Sequence, residues 1–135
     1  MTTTIGTEPL TMQAMCRARF DAAKIIRDTF ARIADKWSLL IVGMLAHGPL
    51  RFTALRDSVP GISHRMLTLT LRNLERDGLV SRTVFAAVPP KVEYAVTDLG
   101  RTAIPAVTAL AKWAVEHSEE IQGNRSLFDD RLLEN

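Results

Sequence analysis

The spacing of apolar residues predicts three helices in the first half of the chain. Between residues 11 and 34 the apolar positions recur every three or four residues, which predicts one long amphipathic helix. Asp35 is suited to capping the next helix, and residues 37–45 are apolar on nearly all sides, so we expect this second helix at the centre of a small domain. A glycine and a proline end it, and residues 52–59 form a short third helix.

The segment PGISHRMLTLTLRNLERDGLV, residues 60–80, contains a turn and a fourth helix, which is amphipathic. The Pro-Gly pair predicts a turn, Ser63 can cap the helix, and the Asp-Gly pair can end it. Leu67, Leu71 and Leu74 share one face, which we expect to be buried. The opposite face carries mostly polar and basic side chains: His64, Arg65, Thr68, Leu69 and Arg72.

The periodicity changes after the fourth helix to a repeat of two: Val80, Arg82 and Val84, and later Val92, Tyr94 and Val96, alternate with polar or small residues. Residues 80–84 and 92–96 alternate in this way, which predicts a β-hairpin whose loop is stiffened by two consecutive prolines. Thr97 can cap a last helix over residues 98–122, and we expect Pro105 to kink that helix.

The order of these elements predicts a mainly α-helical fold with a β-hairpin wing, the winged helix-turn-helix. We divide the chain into a flexible arm (1–10), a single domain (11–122) and an acidic tail (123–135). Residues 35–97 form the winged-helix core, and the first and last helices are assigned to dimerisation. In a helix-turn-helix the second helix enters the major groove by its N-terminal residues, so the fourth helix of this chain is the predicted recognition helix.

Composition favours a DNA-binding domain mainly through the distribution of charge. The chain has 135 residues, 47% of them hydrophobic, which is enough for one domain with a real core. The net charge is only +2, but residues 49–94 carry seven Arg or Lys against four Asp or Glu, and residues 115–135 carry two against six. A basic middle and an acidic end indicate two different surfaces.

The sequence also has features expected of a cytoplasmic protein. Its one cysteine, Cys16, permits no internal disulfide, which suits a reducing compartment. The N-terminal residues do not resemble a signal peptide, and the longest apolar run, residues 39–46, is too short to span a bilayer. We therefore expect a cytoplasmic location.

The predicted DNA contacts are hydrogen-bond donors and cations on the recognition helix, the short helix and the wing. Base edges and phosphates are reached from the first turns of such a helix, and a helix N-terminus attracts phosphate. An ordinary solvated surface is the alternative interpretation, especially for Arg51 on the short helix. The predicted set is Ser63, His64, Arg65, Thr68, Arg72, Arg51, Arg82 and Lys91, with Lys91 at the wing tip.

The first helix has more apolar positions than a small core can absorb. Exposed on a monomer, these residues would form a patch that soluble monomers rarely tolerate. We therefore predict a homodimer in which the first and last helices pair, and we place Trp113 in the core or in this contact. The predicted interface residues are Met12, Cys16, Phe20, Ile26, Leu110 and Ala114.

A series of short motifs extends in one continuous register over about half of the chain. It comprises Lys36-Trp37, Gly48-Pro49, Arg51-Phe52, Pro60-Gly61-Ile62-Ser63, Asp77-Gly78-Leu79-Val80, Pro89-Pro90 and Thr97-Asp98-Leu99-Gly100. With these motifs the chain resembles the HxlR-type branch of the MarR-like bacterial winged-helix regulators. The resemblance implies a cytoplasmic homodimer that binds operator DNA as a transcription factor. We expect a repressor, with an activator as the alternative. The inducing signal is left open, and a small-molecule effector is one option.

The resemblance does not include the family's redox-sensing cysteine. Many members carry this cysteine thirteen residues before the tryptophan, where the present chain has Lys24. Cys16 lies about two helical turns further upstream, so thiol sensing is not carried over. Two interpretations of Cys16 stay open: a small hydrophobic residue on the dimer-facing stripe, or a relocated redox switch.

Other functions find little support in the sequence. Three widely spaced histidines and one cysteine form no metal-ligand pattern, and no cofactor is expected. The sequence has no glycine-rich phosphate loop and no recognisable catalytic pair, which argues against an enzyme. Glu93 is assigned to an ion pair with Arg82 or Arg101. The alternative function is a winged helix that binds only another protein, although the polar recognition helix speaks against it.

Overall fold

The computed structural model describes residues 11–18, 21–33 and 35–134, apart from the side chains of residues 18 and 33. Its helices are α1 (Met12–Ala18), α2 (Ala22–Ile33), α3 (Lys36–Met44), α4 (Phe52–Ser58), α5 (His64–Arg76) and α6 (Asp98–Glu134). Its strands are β1 (Leu50–Arg51), β2 (Val80–Phe85) and β3 (Lys91–Val96), and a 3-10 turn, Leu45–His47, follows α3. None of the described helices is long and apolar enough to cross a membrane. The predicted arm, residues 1–10, lies outside the described residues.

The segment predicted as one long first helix contains two helices. Thr11 Oγ1 accepts a hydrogen bond from the Ala14 amide at 2.9 Å at the start of α1, and the Asp21 carbonyl accepts one from the Ile25 amide at 3.0 Å at the start of α2. Aspartate is favoured just before a helix because inside one it competes for backbone N–H groups. The apolar spacing continues across the break and so does not reveal it. Phe20, part of the predicted interface, lies outside the described residues.

Side-chain caps fix where α3 and α6 begin, as the sequence predicts. Asp35 accepts hydrogen bonds from the amides of Trp37 and Ser38 at 2.9 and 2.8 Å. Thr97 Oγ1 accepts one from the Gly100 amide at 3.0 Å and donates its own proton to the Gly78 carbonyl. The same threonine therefore caps α6 and joins its first turn to Gly78, two residues after the end of α5.

The core lies between α3, α4, α5 and the base of the hairpin. Its buried members are Ile41, Val42, Leu45, Leu55, Val59, Ile62, Leu67, Leu71, Leu74, Leu79, Val80 and Val96. α3 contributes Ile41 and Val42 to this core, as expected of a central helix, but Leu40 and Met44 on its other side are exposed. α6 covers this side of α3 only in part, and an apolar groove remains open beside Leu40.

The wing belongs to a three-stranded antiparallel sheet in the order β1-β3-β2. β2 and β3 confirm the predicted hairpin, with Arg82 opposite Tyr94. The sequence does not predict β1, because two residues are too few to show an alternation. Arg51 is therefore a strand residue opposite Glu93, directly before α4, and its assignment to the short helix is wrong.

The last helix is longer than predicted. α6 runs to Glu134 and passes through Pro105 and Gly123 without interruption. The division into a helix ending at residue 122 and a separate acidic tail is therefore wrong for residues 123–134. Acidic composition indicates a solvated surface, but it does not end a helix whose apolar residues keep helical spacing.

Candidate nucleic-acid interface

The helix-turn-helix consists of α4, a short turn and α5, and one hydroxyl group defines where α5 begins. Ser63 Oγ accepts a hydrogen bond from the Met66 amide at 3.0 Å, which confirms the predicted cap. Gly61, in the turn before it, has a positive φ of 87°, a conformation that glycine adopts without strain. Leu67 and Leu71 are buried against the core. With the start and the buried side fixed, the helical repeat determines which side chains stay outside.

The outer face of α5 brings together five residues that the sequence places there. They line one shallow concave surface and are all exposed: His64, Arg65, Thr68, Leu69 and Arg72. Within the described part of the chain, neither Arg65 nor Arg72 forms a salt bridge, whereas Arg32, Lys91 and Lys112 each do. The two guanidinium groups therefore keep their hydrogen-bond donors available for an external partner.

Two side chains on this outer face make contacts within the domain. The His64 ring packs on the Phe52 ring, with 4.7 Å between the ring centroids and a tilt of 52°. Thr68 Oγ1 donates a hydrogen bond to the His64 carbonyl at 2.9 Å. Thr68 is expected from the sequence to be a donor, but in this arrangement its one hydroxyl proton is already used inside the helix.

Two further arginines lie on the sheet beside α5. Arg51 on β1 and Arg82 on β2 are both exposed, and neither forms a salt bridge with another described residue. Arg82 lies opposite Tyr94, and Val84, which is also exposed, follows it towards the tip. The sheet thus adds two positive charges that are available to an external partner.

The prediction that Lys91 lies at the wing tip is wrong. Residues 86–90 form the tip, and Lys91 is the first residue of β3. Its Nζ lies 3.1 Å from Glu93 Oε1, so the predicted pairing of Glu93 with Arg82 or Arg101 is wrong. Side chains two residues apart on a strand point to the same side, which brings Lys91 and Glu93 together, whereas Arg82 points to the other side of the sheet.

The predicted dimer residues that the structure describes are at or near the surface. Met12, Leu110 and Ala114 are exposed, and Cys16 and Ile26 are half-buried. Cys16 carries a free thiol. In the described ranges no group of three His, Cys, Asp or Glu side chains is placed to hold a metal ion.

Exposed apolar side chains continue along α6 beyond the predicted set. Trp113 is exposed and stacks on His117, which excludes it from the core. The others, none of them in the predicted set, are Leu99, Val115, Leu127, Phe128, Leu132 and Leu133. The last four lie in residues 123–135, and the interpretation of that segment as an acidic tail assigns them to no helix.

Comparison with known proteins gives one consistent family. The family model described as HxlR-like helix-turn-helix matches residues 32–122. An HTH-type transcriptional regulator of Methanothermobacter thermautotrophicus is 46% identical over 81 residues, which are 60% of the present chain and 62% of that protein. The HTH-type transcriptional regulator YdeP of Bacillus subtilis is 41% identical over 96 residues, 71% of the present chain and 75% of YdeP.

A solved structure shares the fold as well as the sequence. The transcriptional regulator YtfH from Salmonella typhimurium superposes with a TM-score of 0.69 at 35% identity. The match covers 75% of the present chain and 90% of that one. Because the sequence identity is 35%, the similarity to YtfH supports membership of the same family as well as the same fold.

Proposed function

Because the chain belongs to the HxlR-like helix-turn-helix family of transcriptional regulators, we propose that it is a homodimeric repressor that binds a near-palindromic operator. In this proposal the outer face of α5 enters the major groove and the hairpin approaches the neighbouring backbone. The observation that carries the proposal is the pair Arg65 and Arg72, exposed on one face and without a salt bridge in the described chain. Membership of this family confirms that the chain is not an enzyme.

The chemistry of the outer face of α5 suits the major groove. Arg65 lies in the first turn of α5, where base edges are reached and where the helix N-terminus attracts phosphate. A guanidinium group can donate two parallel hydrogen bonds to guanine O6 and N7, the commonest specific contact in protein–DNA complexes. Arg51 and Arg82 offer charge to the phosphates on either side, which adds affinity without reading sequence.

The homodimer is supported by apolar surface that the monomer leaves open. Leu110 and Trp113 are each 52% exposed, and Phe128 and Leu132 are exposed further along α6, where helical geometry places them on the same side as Leu110. Extensive exposed apolar surface marks interaction sites on soluble proteins. A twofold axis through such a contact would place two copies of α5 about 34–36 Å apart, or a multiple of that distance, and would demand a near-palindromic operator.

Repression and its release complete the proposal. A dimer bound beside a promoter blocks transcription until a signal, such as a small-molecule effector, lowers its affinity for DNA. A groove of about 360 Å³ lined by Thr29, Arg32, Asp77, Leu79, Leu99, Thr102 and Ala103 lies between α2 and α6. The Arg32 guanidinium is 3.2 Å from the Asp77 carboxylate at the end of α5, so an effector held there would act on the position of the recognition helix.

The test is a footprint on the DNA upstream of the chain's own gene, at about 0.15 M salt. The proposal expects a protected near-palindrome with Kd about 10⁻⁸ M or lower, and a rise in transcript level when the gene is deleted. The opposite result would be protection no stronger than on unrelated DNA, together with the binding of one defined protein. That result would favour the alternative function, a winged helix that binds only another protein.

A further inference from the structure

One leucine stands in the middle of the basic outer face of α5. Leu69 is 49% exposed, while Leu67 and Leu71 on the opposite side are fully buried. Leu69 lies four residues after Arg65 and three before Arg72, so helical geometry places it on the same face as both arginines, about one turn from each. It therefore lies between two cations and contributes no buried side chain to the core.

The neighbouring Thr68 makes this zone more apolar than its sequence suggests. Its hydroxyl proton is donated to the His64 carbonyl at 2.9 Å, so it has no hydrogen to offer a base. What remains is its methyl group and the lone pairs of the oxygen. The centre of the face therefore presents hydrocarbon, and the arginines on both sides supply the hydrogen-bond donors.

The major groove contains one feature that matches such a zone. Of the four bases only thymine carries a methyl group at C5, and its usual protein partner is an apolar side chain. We propose that Leu69 reads a thymine methyl group in each half of the operator. The inference rests on the proposed function and adds a specificity-determining residue to it.

The helix geometry also limits where this thymine lies. Four residues of α-helix rise by about 6 Å, and successive base pairs are about 3.4 Å apart. The thymine contacted by Leu69 therefore lies within about two base pairs of the base contacted by Arg65. A twofold dimer repeats the pair of contacts in the second half-site.

The experiment compares thymine with deoxyuridine, which lacks only the methyl group. A duplex is selected from a random library with the full chain, and each thymine is then replaced singly by deoxyuridine. Binding is measured at fixed salt for the wild type, Leu69→Ala and Leu133→Ala. Leu133 is the matched control, because it is 86% exposed near the end of α6 and helical geometry places it about 140° around the helix from Leu110, away from the proposed dimer contact. A melting curve of each variant checks its folding, and alanine keeps a high helix propensity at the exposed position 69.

The expected result is a loss confined to one thymine per half-site. Wild type and Leu133→Ala should bind the deoxyuridine duplex about three- to fivefold more weakly at that position, the effect of one buried methyl group. Leu69→Ala should bind the thymine and deoxyuridine duplexes equally.

Three other results would overturn the inference. In the first, the wild type is insensitive to every replacement. In the second, Leu69→Ala keeps the full sensitivity. In the third, Thr68→Ser, which removes only the threonine methyl group, abolishes the sensitivity while Leu69→Ala does not. If the full chain selects no duplex at all, the proposed function itself fails, and that outcome is distinct because it precedes any deoxyuridine measurement.

Discussion

The recognition helix α5 and the terminal helix α6 are both amphipathic, but only α5 completes its packing within one chain. The inner leucines of α5, Leu67, Leu71 and Leu74, are fully buried, and its outer face is mainly basic. In α6, by contrast, Gly100 is the one buried residue among 37, and leucines and aromatic rings face the solvent.

This contrast assigns a different partner to each helix. A polar face is stable in water, so it can stay exposed until it binds a charged ligand such as DNA. An extended apolar face is costly in water and calls for a permanent apolar partner, which in our proposal is a second copy of the same chain. The predictions below test the two assignments, from the largest expected effect to the smallest.

Leu110→Asp should have the largest effect, because it places a charge in the proposed interface. The measured mass should fall from about twice to about once 15.0 kDa. Operator affinity should fall at least about 100-fold, because two separate monomers then bind the two half-sites independently. In the dimer, binding at one half-site raises the effective concentration of the second α5 at the other. Light scattering and a binding titration measure the two quantities.

Thr108→Asp is the matched control for the interface. Thr108 is exposed and lies two residues from Leu110, on nearly the opposite side of the helix. This variant should remain dimeric and bind the operator normally. Monomeric wild type at micromolar concentration would remove the dimer from the proposal and the palindrome with it.

Gly100→Ala tests the one part of α6 that is buried. An added Cβ would collide with the Leu79 carbonyl oxygen, and backbone cannot move aside as a flexible side chain can. The free energy of unfolding should fall by about 3 kcal/mol, the upper end of the range for overpacking. Urea unfolding measures it.

Gly123→Ala should have the opposite effect on the free energy of unfolding, although Gly123 lies in the same helix. No atom lies within 4 Å of a Cβ added there, so the substitution only improves helix propensity. Stability should rise by about 0.5–1 kcal/mol. Equal effects at Gly100 and Gly123 would contradict the described packing of the α6 N-terminus.

Arg65→Ala tests the basic face of α5. Loss of a bidentate guanine contact should weaken operator binding by about 2 kcal/mol and relax the choice at one base pair per half-site. Unfolding and dimer mass should stay unchanged, because the side chain is exposed and has no salt bridge within the described chain. Arg76→Ala, also exposed but in the last turn of α5, serves as the control and should leave the base preference intact.

The sequence predicts local features of this fold well. The caps Asp35, Ser63 and Thr97 are short-range contacts between residues two or three positions apart, so residue type and spacing are enough to find them. The exposed face of α5 follows from the helical repeat once its cap and its leucines are known. The five residues of this face are therefore found together as expected.

The features that the sequence did not predict are a two-residue strand, an ion pair at the start of β3 and a break between two helices. β1 has two residues and exists only through its pairing with β3. The pairing of Glu93 with Lys91 follows from the alternation of side chains along β3, which the assignment of Lys91 to the wing tip left out. The interruption between α1 and α2 leaves the apolar spacing intact, so periodicity alone joins the two helices into one.

The smallest expected effects distinguish the two basic residues of the wing. Arg82 forms no salt bridge in the described chain, whereas Lys91 is held 3.1 Å from Glu93 and is only 39% exposed. If Arg82 contacts a phosphate, Arg82→Ala should reduce the slope of log K against log salt by about 0.9. Lys91→Ala should change it less, because the Glu93 charge already offsets much of the lysine charge. Glu93→Gln should then raise affinity slightly for operator and unrelated DNA alike, and equal slope changes for Arg82→Ala and Lys91→Ala would show that the ion pair opens when DNA binds.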